Sequence, residues 1–116
     1  MSKYSVNNFG LTERDMQTIQ DIFIKYAEVD IVHIFGSRAT GNYKKGSDID
    51  LALMNIGVSD KTTAKIQSDF EESSLPFSVD IINFPSVENP DIIDHINRVG
   101  IIIYKKSEKQ VRLEVI

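Results

Sequence analysis

Two aspartates one residue apart, Asp48 and Asp50, follow a Gly36-Ser37 pair after ten intervening residues, and a third aspartate, Asp80, lies inside a later apolar segment. In an extended chain the side chains alternate, so Asp48 and Asp50 share one face about 6.6 Å apart while Ile49 and Leu51 point to the opposite layer. Two carboxylates on one face repel each other and lose hydration, a cost that a divalent cation removes. Magnesium takes carboxylate oxygens together with substrate phosphates, and a two-ion centre about 4 Å wide needs a bridging pair plus a third acid. Asp80 is the only later acid within an apolar strand segment. If its strand lies beside that of the pair, it serves as metal ligand and as base toward an attacking hydroxyl. The plainer alternative is a polar outer face on an ordinary edge strand.

Gly36-Ser37 closes the segment before this loop. A glycine lets the backbone approach a phosphate, and a serine hydroxyl can donate to a phosphate oxygen, although Gly-Ser is also an ordinary turn. Arg38, Lys44 and Lys45 flank the turn and Ser47 precedes the acids, which makes all four candidate nucleotide or phosphate contacts. The cations are suited to charge developing on a departing pyrophosphate, yet each is equally well a solvated loop residue.

These residues need elements to hold them. Thr12 and Asp15 form a variant capping box, and Met16, Ile19, Ile22, Phe23 and Tyr26 fall on one helical face, which predicts a helix from about Thr12 to Tyr26. Val29 to Phe35 is β-branched and aromatic and reads as a buried strand, with a loop from Arg38 to Ser47 after it. A second strand runs from Asp48 to Met54, and a second helix from Asp60 to Ser73 turns Ile66 and Phe70 inward. Ser78 to Phe84 is a third strand. Asn89-Pro90 starts a short third helix ending at Gly100, and Ile101 to Lys105 is a fourth strand. The tail from Lys106 to Ile116 is left unassigned. Four strands and three helices predict a small α/β or α+β domain, a mixed sheet with helices packed on it, over residues 1–116 with a core of about 12–105. His33 and His95 have no matched partner and receive no role. Ile92, Ile93, Ile96 and Val99 read as core packing rather than a docking face.

The composition is that of an ordinary globular chain: 116 residues, 41% hydrophobic and 26% charged. Roughly two-thirds of the unfolded surface can be buried at this length, so no staple is required. The absence of cysteine excludes thiol chemistry and favours a cytoplasmic address. No signal-peptide pattern opens the chain and no run approaches the roughly 20 apolar residues of a spanning helix, so a soluble protein without a membrane role is expected. Net charge is −4 and the basic residues are scattered, which argues against direct nucleic-acid binding while leaving room for a local phosphate contact.

The order Gly36-Ser37, ten residues, Asp48-Ile49-Asp50 resembles the nucleotidyltransferase superfamily related to DNA polymerase β, whose motif is Gly-Ser, a spacer of about ten residues, and Asp-x-Asp. The likeness extends over about residues 30 to 84, with Asp80 in the place of the third acid. It implies the polymerase β-like nucleotidyltransferase fold, two magnesium ions on the acids, a nucleoside triphosphate such as ATP as substrate, and transfer of a nucleoside monophosphate. Larger members add a helical domain that helps hold nucleobase or acceptor, and over these 116 residues none is expected. It is therefore similar to the minimal nucleotidyltransferases, or MNT proteins, that pair with a helical HEPN protein. In toxin-antitoxin members the MNT protein is the antitoxin and transfers AMP from ATP to a tyrosine of its HEPN toxin. The same activity is the leading expectation here, with a homo- or hetero-oligomer compatible with it. One rival is a nucleotidyltransferase with a small-molecule acceptor such as an antibiotic. The other is a catalytically idle binding module that neutralises a helical partner by contact.

Overall fold

The computed structural model describes residues 6–106. Helix α1 (Glu13–Ile24) opens through reciprocal capping: the Asp15 N–H donates to the Thr12 hydroxyl and the Thr12 N–H donates to the Asp15 carboxylate, both at 3.0 Å. Two of the four N–H groups that a helix start leaves free are thereby satisfied. Ile19, Ile22 and Phe23 recur at helical spacing and are buried.

Strand β1 (Ile31–Phe35) alternates in burial, with Val32 and Ile34 in the core. The chain then differs from the expected turn and loop. It coils at once into a short helix, α2 (Gly36–Thr40), which Gly41 ends in the left-handed region at φ +87°. Strand β2 (Ile49–Leu53) follows, and then α3 (Asp60–Glu71), whose cap is the Ser59 hydroxyl accepting from the Thr62 N–H at 3.1 Å. After β3 (Val79–Asn83) and a 3-10 turn at Phe84–Ser86 comes α4 (Pro90–Val99). Asn89 caps α4 by accepting from the Asp91 and Ile92 N–H groups at 2.8 and 3.4 Å, with Pro90 placed where no N–H is needed. Strand β4 (Ile101–Lys105) completes the described elements, and the unassigned tail beyond Lys106 lies outside the described residues.

The four strands form one mixed sheet in the order β3-β2-β1-β4. β1 runs antiparallel to β2 and to β4, whereas β2 and β3 are parallel and are joined by the α3 crossover. One sheet face holds Val32, Ile34, Ile49, Leu51, Leu53 and Val79 against α1 and α3, with the Phe23 ring 5.4 Å from both Phe70 and Tyr104. Each large side chain sealed in this layer stabilises the fold by roughly 1.5–3 kcal/mol before entropy is counted. Alternation sends Phe35, Asp50 and Asp80 to the opposite face, where α4 sits over β1 and its His95 meets Phe35 edge-on at 6.1 Å. Ile96 of α4 is buried, but Ile92 keeps 42% of its surface exposed, so core packing uses only part of that helix's apolar stripe. Among the described residues no helix is long and apolar enough to cross a membrane.

Candidate active site

Strand register brings the acids together. In the parallel β2–β3 pair Asp50 lies directly opposite Asp80, and in the antiparallel β1–β2 pair Asp50 lies opposite Phe35, the residue before Gly36. Neighbouring strands are about 4.8 Å apart, so Asp50 and Asp80 are side by side on one face. Asp48 stands one residue before β2, and the next N–H, that of Ile49, donates to the Ser78 carbonyl at 2.9 Å, tying the entry of β2 to the entry of β3. Asp48 and Asp80 are exposed, whereas Asp50 is partly buried between them.

Burial raises the Asp50 carboxyl above the usual carboxylate range, the negative charges of Asp80 and Asp48 raise it further, and the His95 imidazole pulls the other way. The site therefore concentrates more negative charge than it can hold comfortably. Among the described residues no three acidic or imidazole side chains converge as a ready-made cation cage. The donor chemistry nevertheless suits magnesium, which takes one or two carboxylates and completes its shell with phosphate oxygens and water.

Gly36 adopts φ +72°, and a Cβ built on it would collide with Oδ2 of Asp50. The glycine thus makes room for the central acid as well as for the turn out of β1. Ser37 follows as the second residue of α2, where its carbonyl accepts the closing bonds from the Gly41 and Asn42 N–H groups, each at 3.0 Å.

Arg38 has a different place from the phosphate contact expected of it. It is only 2% exposed. Its Nε and Nη2 donate to the Ser47 carbonyl at 3.0 and 2.8 Å, and its Nη1 donates to the Phe9 carbonyl at 2.8 Å. The guanidinium also lies 4.3 Å from the Phe77 ring centre and 5.1 Å from that of Tyr43. A planar cation can bind carbonyls at its edge and rings on its faces, and Arg38 does both. It is a strut joining the N-terminal turn, the residue before Asp48 and the approach to β3. The Ser47 hydroxyl accepts from the Lys44 N–H at 2.8 Å, so this side chain clasps its own loop. Lys44 and Lys45 are exposed on that loop.

A pocket of about 490 Å³ opens beside the acids, lined by Asp50 and Asp80 together with Phe35, Ile82, Ile92 and His95. Sequence reasoning left His95 without a role. Its signal was its position three residues after Ile92, on the same side of a helix, but nothing local said which layer that side would meet.

The mixed sheet, the glycine turn and the carboxylates define a nucleotidyltransferase. Residues 17–109 match the family model described as "Polymerase beta, Nucleotidyltransferase", and the chain belongs to that family. It is 33% identical over 78 residues to a probable protein adenylyltransferase MntA of Haemophilus influenzae, covering 66% of this chain and 68% of that protein. Its fold is similar to that of a chain in a toxin-antitoxin crystal structure with AMP-PNP, with a TM-score of 0.65 and 16% identity, covering 87% of this chain and 82% of the other. A chain of the toxin-antitoxin MntA-HepT complex has a TM-score of 0.52 at 15% identity, over 84% and 75% of the two chains. The polymerase β-like fold expected from the motif is the fold found.

Proposed function

We propose that this enzyme transfers AMP from ATP to a hydroxyl on a helical HEPN partner, most simply a tyrosine, and acts as the antitoxin of the pair. The observation that carries this reading is the register of Asp50 opposite Asp80, with Asp48 two residues earlier and Gly36 packed against Asp50. The likeness to a protein adenylyltransferase supports adenylyl as the group and protein as the acceptor.

In this reading Asp48 and Asp50 hold magnesium, Asp80 completes the ligand set, and the turn at Gly36 and Ser37 receives the triphosphate. Bound magnesium would neutralise charge on the phosphates and make the α-phosphorus more electrophilic. The acceptor oxygen attacks that phosphorus in line, a new P–O bond forms, and the bond to pyrophosphate breaks. Asp80 takes the hydroxyl proton, and pyrophosphate leaves with the displaced electron pair. Positioning and charge neutralisation supply the acceleration, so no covalent enzyme intermediate is required. The pocket beside Asp80 has neither Asp48 nor the glycine turn in its lining, which suits it to the acceptor rather than the phosphates. Phe35, Ile81, Ile82 and Ile92 give it an apolar wall against which a tyrosine ring can pack.

The test is incubation with magnesium, α-labelled ATP and the cognate helical partner, comparing wild type with Asp48→Asn and Asp80→Asn. Label on the partner that disappears in both variants is the expected result. A stable complex that never acquires label from any nucleotide would leave neutralisation by contact as the better account.

A further inference from the structure

Among the described residues strand β3 is an edge of the sheet, and no described strand pairs with the outward N–H and C=O groups of its backbone. Such an edge is ordinarily left to water or to a stray strand. Here Gln67 of α3 occupies it. The Gln67 Nε2 donates to the Val79 carbonyl at 2.6 Å, and its Oε1 accepts from the Ile81 N–H at 3.0 Å. A primary amide offers a donor and an acceptor side by side, the same pair that an adjoining strand would present. The side chain is partly buried and lines the pocket that contains Asp50 and Asp80.

The two groups that Gln67 grips belong to the residues on either side of Asp80. In a strand, the backbone groups of successive residues point alternately to the two edges, so Asp80 turns its own toward β2 while Val79 and Ile81 turn theirs outward. Asp80 is thus held from β2 on one edge and by the Gln67 amide, through its two neighbours, on the other. An exposed carboxylate on an open edge strand would otherwise ride on the freest backbone of the sheet.

We infer that Gln67 is a positioning residue for the reaction: by clasping β3 on both sides of Asp80, its amide fixes that carboxylate relative to Asp50. This rests on reading Asp80 as the third acid of the site. Gln67 borders the pocket assigned to the acceptor, but its amide is engaged by Val79 and Ile81, so its effect on the reaction runs through the strand it grips and should leave the KM for the partner within about twofold of wild type.

The test uses Gln67→Met, which keeps length without the amide, and Gln67→Glu, which keeps the acceptor for Ile81 and loses the donor to Val79. Partner labelling gives kcat and the KM for ATP, and a titration with Mn²⁺ in the absence of nucleotide turnover reads the acids directly. For Gln67→Met the expected result is a kcat lower by about tenfold, a KM for ATP within about twofold of wild type, and Mn²⁺ binding weaker by about threefold. Gln67→Glu should fall in the same direction, and it supplies the reading if the methionine variant does not fold. Unchanged kcat and unchanged Mn²⁺ binding, with only a lowered Tm or faster exchange of the Ile81 amide, would reduce Gln67 to an edge cover and overturn the inference. If the wild type labels no partner, the adenylylation reading fails by itself and the Mn²⁺ titration alone decides the role of Gln67.

Discussion

Gly36 and Asp50 are packed so closely that a methyl group on the glycine would overlap the Oδ2 of the aspartate. The backbone turn out of β1 and the central carboxylate of β2 are therefore one unit, and a change at Gly36 is a change at the acid. Gly36→Ala should cost about 1–3 kcal/mol through its positive φ alone. It should also displace Asp50 and lower partner labelling by about a hundredfold, the order expected for a misplaced catalytic group. Gly41 is the control, because it too has a positive φ, of +87°, but a Cβ at that position would meet no atom within 4 Å. Gly41→Ala should lose comparable stability in urea unfolding while keeping its transfer rate within about twofold.

Arg38 predicts a stability effect larger than a solvated loop cation would give. Replacing it by Met strips the Ser47 and Phe9 carbonyls of their donor inside the fold, for a cost of about 3 kcal/mol in urea unfolding. Arg38→Lys should recover only part of this, since one ammonium cannot bind both carbonyls and lie flat between two rings. A Met variant as stable as wild type would contradict the strut.

Asp50 sets a pH dependence with a definite sign. Its carboxyl titrates higher in the folded chain than in the unfolded one. The native state thus holds more protons than the unfolded state, and the stability associated with this group is full below its unfolded pKa and lost as pH rises through the folded one. In the absence of divalent ions, Asp50→Asn should therefore gain on wild type as pH rises from acid to neutral, followed by thermal melts at each pH. The same variant should be inactive, and magnesium should raise the Tm of wild type more than that of the variant.

His95 offers a way to separate the two substrates. It lines the pocket with Asp50 and Asp80 and braces Phe35 edge-on. If the acceptor sits there, His95→Ala should raise the KM for the partner by about fivefold, equivalent to about 1 kcal/mol of binding, and leave the KM for ATP unchanged. A rise confined to ATP would move the nucleotide into the pocket instead.

Much of this site was legible because its parts are local. The alternation around Ile49 and Leu51 placed Asp48 and Asp50, and the apolar run around Asp80 placed that acid on a strand; that this strand lies beside β2 was only a condition in the sequence reading, and its parallel direction and its register come from the structure. Strand limits fell within two residues of those found, and the capping pairs of α1 and α4 acted as read. Helix α2 was not legible: five residues carry no period, and Gly36, Ser37 and Thr40 are weak helix formers. Arg38 looked like a loop cation because its type is nearly always exposed, and only the folding of Phe9, Ser47 and Phe77 around it makes the interior habitable. The placement of Gln67 and His95 depends on how α3 and α4 lie on the sheet, which no window of sequence contains.

The parallel pairing of β2 with β3 has a consequence for how the protein comes into being. β1 and β2 are antiparallel neighbours that can zip together early, and they already carry the glycine turn, Asp48 and Asp50. Asp80 arrives only after the α3 crossover has been made and docked, a longer loop to close and a slower step. A half-folded chain with only the β1–β2 hairpin formed therefore carries Asp48 and Asp50 without Asp80, and the three acids are brought together only when β3 docks beside β2.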